Sequence, residues 1–181
     1  MWFFLSTAIF AAGLTIFQIA FLSHLFPPFN DLQLPIAVIG YSVIKNRPLT
    51  AAVWALVAGV LLDLHGLFGF GAEIALLFSV FLIMRVAFSR FLTNTSAAAA
   101  FLLTGVGTLA HFAGLLAIDG LRVLSGGVPY AISPDPEPWF QLIRAVAANG
   151  VLVVAALALS GFARRRLHKA FLSGGSAIVR V

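Results

Sequence analysis

The sequence predicts an all-helical membrane protein, a bundle of six transmembrane helices of which two are short. Of its 181 residues, 61% are hydrophobic and 9% are charged, and the mean hydropathy is +1.07. A soluble domain carries charge on roughly a quarter of its residues. The apolar residues also form continuous blocks, whereas a membrane-spanning barrel has short alternating segments. Because a backbone in lipid must satisfy its own hydrogen bonds, these blocks are expected to be helices.

The composition also narrows the classes of function. The sequence contains no cysteine, so it offers no disulfide framework, thiol nucleophile or cysteine-based metal site. The pI is about 10.8, but the basic residues flank the apolar blocks. Orientation in an anionic membrane explains them better than nucleic-acid binding. The first block lacks a charged n-region and is too long for the apolar core of a signal peptide, so we expect a retained span.

Three apolar blocks open the chain. The first covers residues 2–25 and is long enough for a crossing. The second, 32–44, reaches only roughly 20 Å at 1.5 Å per residue, short of a hydrocarbon core of about 30 Å. The basic segment 45–48 stops it and starts the third block, 49–64, which is also short and ends in Asp63.

A glycine-rich corner separates the third block from the fourth. Gly66, Gly69 and Gly71 predict a tight turn between two antiparallel helices. The fourth span is expected at 72–88 and the fifth at 96–118. The fifth is rich in small residues, which let helices approach closely. These are Ala97, Ala98, Ala99, Ala100, Gly105 and Gly107.

The last part of the chain combines a long connection with a final span. Residues 119–138 contain several prolines and two adjacent glycines, so they are expected to be irregular. The sixth span is expected at 139–162, and the basic run 164–169 closes it. A single transmembrane domain therefore covers residues 1–170, and a mobile cytoplasmic tail covers 171–181.

The distribution of Lys and Arg predicts the orientation. With six spans and a cytoplasmic N-terminus, all of the 11 basic residues except Arg122 and Arg144 fall on the cytoplasmic side. Such an excess marks cytoplasmic loops, so both termini are expected in the cytoplasm. Losing either short span would scatter the charges, and both are kept for that reason.

Ionisable residues at the glycine-rich corner are the first functional candidates, because burying them in a membrane is costly. Asp63, His65 and Glu73 cluster there and could form a proton relay or a cation site. A structural, turn-fixing role is favoured over that chemistry. Asp63 lies near a helix C-terminus, where negative charge is unfavourable, so it needs a backbone amide of the corner or a basic side chain as a partner.

The other polar residues of the blocks favour structural roles. His111 has no second His or carboxylate three or four residues away, so an interhelical hydrogen bond is favoured over a metal pair. Gln18 is expected to form a hydrogen bond between helices. Arg85 and Arg90 are expected to anchor the cytoplasmic edge by snorkelling. The basic run 164–169 fixes topology or contacts anionic lipid headgroups.

Motifs for catalysis are missing from the sequence. It has no phosphate-binding loop followed by Lys and Ser or Thr, no zinc-binding His-Glu-x-x-His and no convincing nucleophile with a base. An enzyme is therefore the least supported class, and no cofactor or metal is expected.

The segment around the corner carries a family resemblance. The stretch 58–64, Ala-Gly-Val-Leu-Leu-Asp-Leu, precedes Gly66, Gly69-Phe70-Gly71 and an apolar helix. It resembles the rod-shape-determining protein MreD family, which has a Gly-Leu-Leu-Leu-Asp-Leu stretch, a glycine-rich turn and a helix ending in Arg. Residues 30–34, which include Asp31, occupy the place of the family's Pro-Asp-Leu-Leu-Leu.

The resemblance implies a non-enzymatic scaffold of the bacterial cell-elongation (rod) complex in the inner membrane, which maintains cell shape and guides peptidoglycan synthesis. The implied partners are a single-span MreC-like protein, MreB-like filaments and the RodA/penicillin-binding-protein synthase, with no nucleic acid. The candidate structural and interaction residues are Asp31, Gly59, Asp63, Gly66, Gly69 and Gly71.

Two other functions stay open. The MreD family looks similar in fold to the substrate-binding subunits of energy-coupling-factor vitamin transporters, so a solute-binding subunit is the alternative. Short or broken spans around a polar corner are where transporters build their sites. A small channel or permease is a third, weaker option.

Overall fold

The fold is a bundle of helices. The computed structural model describes residues 2–25, 29–66, 71–92, 95–126 and 137–174, and the side chains at 30, 137, 138, 164 and 167–174 lie outside that description. The described residues contain six α-helices and two short 3-10 helices and no strand. The all-helical prediction is therefore confirmed. The α-helices are α1 Trp2–Ala20, α2 Leu34–Ile44, α3 Pro48–His65, α4 Ala72–Phe91, α5 Ala97–Leu124 and α6 Glu137–Gly174, and the 3-10 helices are Leu22–His24 and Phe29–Asp31.

Five of the six helices are long and apolar enough to cross a membrane, and α2 is the exception. α2 has 11 residues and measures about 16 Å at 1.5 Å per residue, roughly half of a hydrocarbon core. α3 has 18 residues and measures about 27 Å, so the expectation that the third block is short was wrong. The five long helices indicate a membrane protein, and a sixth crossing stays a prediction.

The largest differences from the predicted boundaries lie in the second half of the chain. α5 continues through Asp119 to Leu124, where an irregular connection was expected, and ends before Gly126, whose φ is +86°. α6 continues past 162 to Gly174, because the Arg, Leu, Lys and Ala residues that follow are good helix formers. Residues 171–174 are therefore helical, and the mobile tail stays a prediction. Residues 127–136 and 175–181 lie outside the described part.

Successive helices alternate in direction, which gives the bundle two distinct ends. The backbone amide of Leu34 donates to Gln18 Oε1 at 2.7 Å, so α1 ends where α2 begins. Residues 45–47 reverse the chain between α2 and α3, and the end of α3 contacts the start of α4 through Asp63. One end therefore holds residues 45–47, the last turn of α4, the first turn of α5 and the C-terminal part of α6, and we name it the basic end.

α2 is the most enclosed helix. Nine of its residues are buried, and it contacts all five other α-helices. Its C-terminus turns into α3 through Asn46, a non-glycine residue with a φ of +54° that the turn tolerates. Because α2 is only half as long as a membrane core, its N-terminus lies near mid-depth. A helix N-terminus there needs acceptors from the protein itself.

The small residues of α5 pack inside the bundle. A Cβ placed on Gly107 would overlap the Met84 side chain of α4. A Cβ on Gly105 would lie 3.5 Å from Val146 Cγ1 of α6, and Ala99 and Ala100 are buried. These residues allow α4, α5 and α6 to approach closely, and they leave no small-residue face of α5 for another protein at these positions.

Candidate functional site

The corner between α3 and α4 is organised by the carboxylate of Asp63. This side chain is only 7% exposed and accepts three backbone hydrogen bonds, from Gly71 at 2.8 Å, Glu73 at 2.7 Å and Ile74 at 3.3 Å. It thereby caps the first turn of α4 from the last turn of α3. The partial positive charge of the α4 N-terminus stabilises a carboxylate that the C-terminus of α3 alone would disfavour. The expected partnership with a corner amide is confirmed.

Two glycines make this contact sterically possible. Gly71 precedes α4 with a φ of +104°, a left-handed conformation that favours glycine. Gly59 lies one turn before Asp63, and a Cβ there would approach Ile74 Cα to 2.6 Å, so α3 and α4 touch backbone to backbone. Gly66 ends α3, with its amide 2.6 Å from Leu62 O. Gly69 lies outside the described residues.

The predicted trio of ionisable residues does not converge on one site. Glu73 turns its carboxylate toward α5, where Oε2 lies 3.3 Å from His111 Nε2. His65 is exposed, and its Nδ1 lies 3.0 Å from Leu61 O of its own helix. The interhelical hydrogen bond predicted for His111 is confirmed, with Glu73 as its partner. Asp63, Glu73 and His111 therefore link three helices, and His65 stands apart.

The N-terminus of α2 is capped by neutral side chains from two other helices. Gln18 of α1 accepts from the amide of Leu34 at 2.7 Å, which confirms its predicted interhelical role. Asn149 of α6 accepts from the amide of Gln33 at 2.8 Å and donates to Thr108 Oγ1 of α5 at 3.2 Å. Asn149 and Thr108 are buried. Gln18 and Asn149 thus supply the acceptors that the first amides of α2 need within a membrane.

Asp31 forms an ion pair at the edge of this second cap. Its carboxylate accepts from Arg144 Nε of α6 at 2.8 Å, with side-chain exposures of 12% and 40% respectively. The pair joins the segment before α2 to the first part of α6. The sequence analysis placed Arg144 away from the cytoplasmic side but did not pair it with Asp31.

The sequence analysis did not recognise Asn149 and Asp119 as buried polar residues. Asn149 interrupts the apolar stretch Trp139–Ala163, and a polar residue inside a span is a signal of an interhelical contact. Asp119 was assigned to an irregular connection, yet it lies within α5 and is fully buried. Arg85 and Arg90 are exposed on α4.

A cavity of about 900 Å³ opens beside α2. α1 and α6 both contact α2 but do not contact each other in the described part of the chain, so a space remains between them. It extends from Leu34, the first residue of α2, to Lys45, just after the last. The capping side chains of Gln18, Asp63 and Asn149 are not part of its lining. Leu34, whose backbone amide Gln18 caps, is part of it.

The acidic and histidine side chains of the described residues are not arranged as a metal site. Within the described ranges, no group of three or more His, Cys, Asp or Glu residues could hold a metal ion. The carboxylates of Asp63, Glu73 and Asp31 each have a partner within the bundle. No family model matches the sequence, and no curated protein and no solved structure matches it either.

Proposed function

We propose that this protein is a non-enzymatic scaffold of the bacterial cell-elongation complex in the inner membrane, with both termini in the cytoplasm. In this role it binds a single-span MreC-like protein beside MreB-like filaments and the RodA/penicillin-binding-protein synthase. The resemblance of residues 30–90 to the MreD family motivates the identity of the complex, and the geometry of the same segment supports a scaffold.

The observation that carries the scaffold is the engagement of the corner carboxylates. Both carboxylate oxygens of Asp63 accept hydrogen bonds from backbone amides at the start of α4, and the Glu73 carboxylate contacts His111. A scaffold needs a surface of fixed shape, and these contacts fix three helices relative to one another. A proton relay or cation site needs ligands with open positions, which a carboxylate with three amide donors supplies poorly.

The partner helix is proposed to dock on α1 and α3, because Ala99, Ala100 and Gly107 of α5 are used internally. A cleft of about 270 Å³ runs between these two helices and is lined by Ala12, Leu56, Val57, Val60 and Leu61. Gly13 follows Ala12 on α1, and a Cβ there would meet no atom within 4 Å. Small residues at an exposed helix face let a second helix approach closely.

The proposal is tested by depletion and by a matched pair of glycine variants. Depletion is expected to round the cells, and the tagged protein is expected to co-purify with a single-span partner. Gly13→Leu should lose the partner and fail to restore cell width. Gly120→Leu, at another glycine whose Cβ meets no atom within 4 Å, should retain both. Normal cell width after depletion, with no such partner recovered, contradicts the proposal.

A substrate-binding subunit of an energy-coupling-factor-type transporter is the second candidate. The cavity beside α2 favours it, because its volume of about 900 Å³ lies within the range of small-molecule sites. In that case depletion should create a nutrient requirement that leaves cell shape unchanged, and the purified protein should bind the corresponding solute. A shape defect that no added nutrient relieves would reject this candidate.

A further inference from the structure

The cavity beside α2 has the length of one membrane leaflet. Its lining includes residues at both ends of α2, from Leu34 to Lys45, so it follows a helix of about 16 Å. One leaflet contributes about half of a 30 Å hydrocarbon core. The cavity therefore starts at the basic end and stops near mid-depth, as the space for a single lipid molecule must.

The lining changes from apolar to polar along this length. The apolar part is formed by Phe10, Leu14, Trp54, Leu152, Val153 and Ala156. The part near the basic end is formed by Tyr41, Ser42, Lys45, Arg47, Thr50 and Ser160. This order matches a molecule with acyl chains at one end and a hydrogen-bonding headgroup at the other.

The polar part carries positive charge and no described acidic side chain lines it. Lys45 and Arg47 are exposed and form no ion pair among the described residues. The Lys45 ammonium lies 5.6 Å from the centre of the Tyr41 ring. Arg165 adds a third cation close by, since its Nε lies 3.3 Å from the carbonyl oxygen of Gly161, a lining residue. An anionic headgroup is the complement of this arrangement.

The volume is too small for a whole transmembrane helix. The cavity measures about 900 Å³, within the range of small-molecule sites. A cylinder about 10 Å wide and 30 Å long, which approximates a membrane-spanning helix, occupies roughly 2,400 Å³. The cavity could hold less than half of such a helix.

We propose that this cavity binds one anionic phospholipid from the leaflet at the basic end. The acyl chains lie between α1 and α6 against Trp54, and the phosphate lies between Lys45 and Arg47. The site is separate from the proposed docking face on α1 and α3, so the inference does not depend on the proposed function.

Trp54 provides a built-in reporter of this site. The chain has three tryptophans, and Trp2→Phe with Trp139→Phe leaves Trp54 alone. This protein is placed in nanodiscs in which phosphatidylglycerol or phosphatidylcholine with brominated acyl chains replaces increasing shares of unbrominated phosphatidylcholine. Bromine quenches indole fluorescence at short range. Half-maximal quenching of Trp54 is expected at a several-fold lower share of phosphatidylglycerol than of phosphatidylcholine.

Substitutions at the basic end and in the apolar part decide the outcome. Lys45→Gln with Arg47→Gln should remove the preference, at about fivefold in affinity per charge. Arg85→Gln with Arg90→Gln removes equal charge from α4, outside the cavity, and should keep it. Ala156→Phe should fill the cavity and reduce quenching by both lipids. Equal quenching by the two lipids in the parent protein, or a preference that survives loss of Lys45 and Arg47, overturns the proposal.

Discussion

The first turns of α2 and α4 have the same requirement and meet it with different chemistry. The first amides of a helix have no acceptor within the helix. In α4 the acceptor is the charged carboxylate of Asp63, supplied by α3. In α2 the acceptors are the neutral amide oxygens of Gln18 and Asn149, supplied by α1 and α6.

Membrane depth explains this difference. Both helices end at the basic end, and α4 has 20 residues against 11 in α2, so α4 extends about 14 Å farther at 1.5 Å per residue. Its first turn therefore lies near the opposite surface, where a carboxylate is less costly, whereas the first turn of α2 lies near mid-depth, where a charge is most costly. Neutral amides provide the same hydrogen bonds there, and the nearest charged groups, Asp31 and Arg144, are paired with each other.

The comparison also bears on function. Both caps use polar side chains to fix one helix against others, and none of these capping side chains lines the cavity beside α2. Polar residues within a membrane segment are functional candidates by default, yet here their hydrogen bonds are directed inward. That pattern supports a scaffold of fixed shape.

The largest expected effect is at the charged cap. Asp63→Ala leaves the Gly71 and Glu73 amides without their acceptor, and we expect it to lower the free energy of unfolding by about 3 kcal/mol. Asp63→Asn retains an acceptor oxygen, so it should insert normally and lose about 1 kcal/mol, with weaker helix packing or partner binding. SDS titration followed by circular dichroism measures both values. Wild-type stability, assembly and growth in both variants would show that the Asp63 cap does not stabilise the protein.

A smaller effect is expected at the neutral cap. Asn149→Leu leaves the Gln33 amide unpaired in a buried position and should lower the free energy of unfolding by about 1–2 kcal/mol in the same titration. Thr108→Val is the control, because it keeps the cap on Gln33 and removes only the hydrogen bonds of the Thr108 hydroxyl, from Asn149 Nδ2 and to Thr104 O within α5. It should lose less than half as much. Equal losses would show that the cap to Gln33 contributes nothing.

The smallest effect is expected at the exposed ion pair. Arg144→Gln removes the partner of Asp31, but the Arg144 side chain is 40% exposed. Such pairs contribute at most about 1 kcal/mol and are screened by salt. We expect a loss within about 0.5 kcal/mol that decreases further at high salt. A loss as large as that of Asp63→Ala would reverse the ranking of the two regions.

The helical fold class and the α3–α4 corner could be predicted from the sequence because their signals are local. Continuous apolar blocks identify helices, and an acid beside several glycines identifies a turn that needs an amide partner. Gln18 and His111 were recognised as interhelical groups for a similar reason, since each is a polar residue within an apolar block.

The identity of most partners could not be predicted, because it depends on packing between distant segments. No local sequence pattern pairs Asn149 with Gln33, or Arg144 with Asp31. The predicted cluster of Asp63, His65 and Glu73 does not form, because the Glu73 carboxylate points toward His111 of α5. The extent of α5 was missed because the two adjacent glycines and the prolines of residues 119–138 suggested an irregular segment. No local pattern indicates that α1 and α6 stay apart.

The central claim, that both helix starts are capped from other helices, is tested most directly by amide hydrogen exchange. The account predicts that the capped amides, those of Gly71, Glu73 and Ile74 in one cap and of Gln33 and Leu34 in the other, exchange as slowly as the middle of α4. Asp63→Ala should accelerate exchange at Gly71, Glu73 and Ile74 alone, and Asn149→Leu should accelerate it at Gln33 alone. Exchange at Gly71, Glu73 and Ile74 that is unchanged by Asp63→Ala would contradict the account.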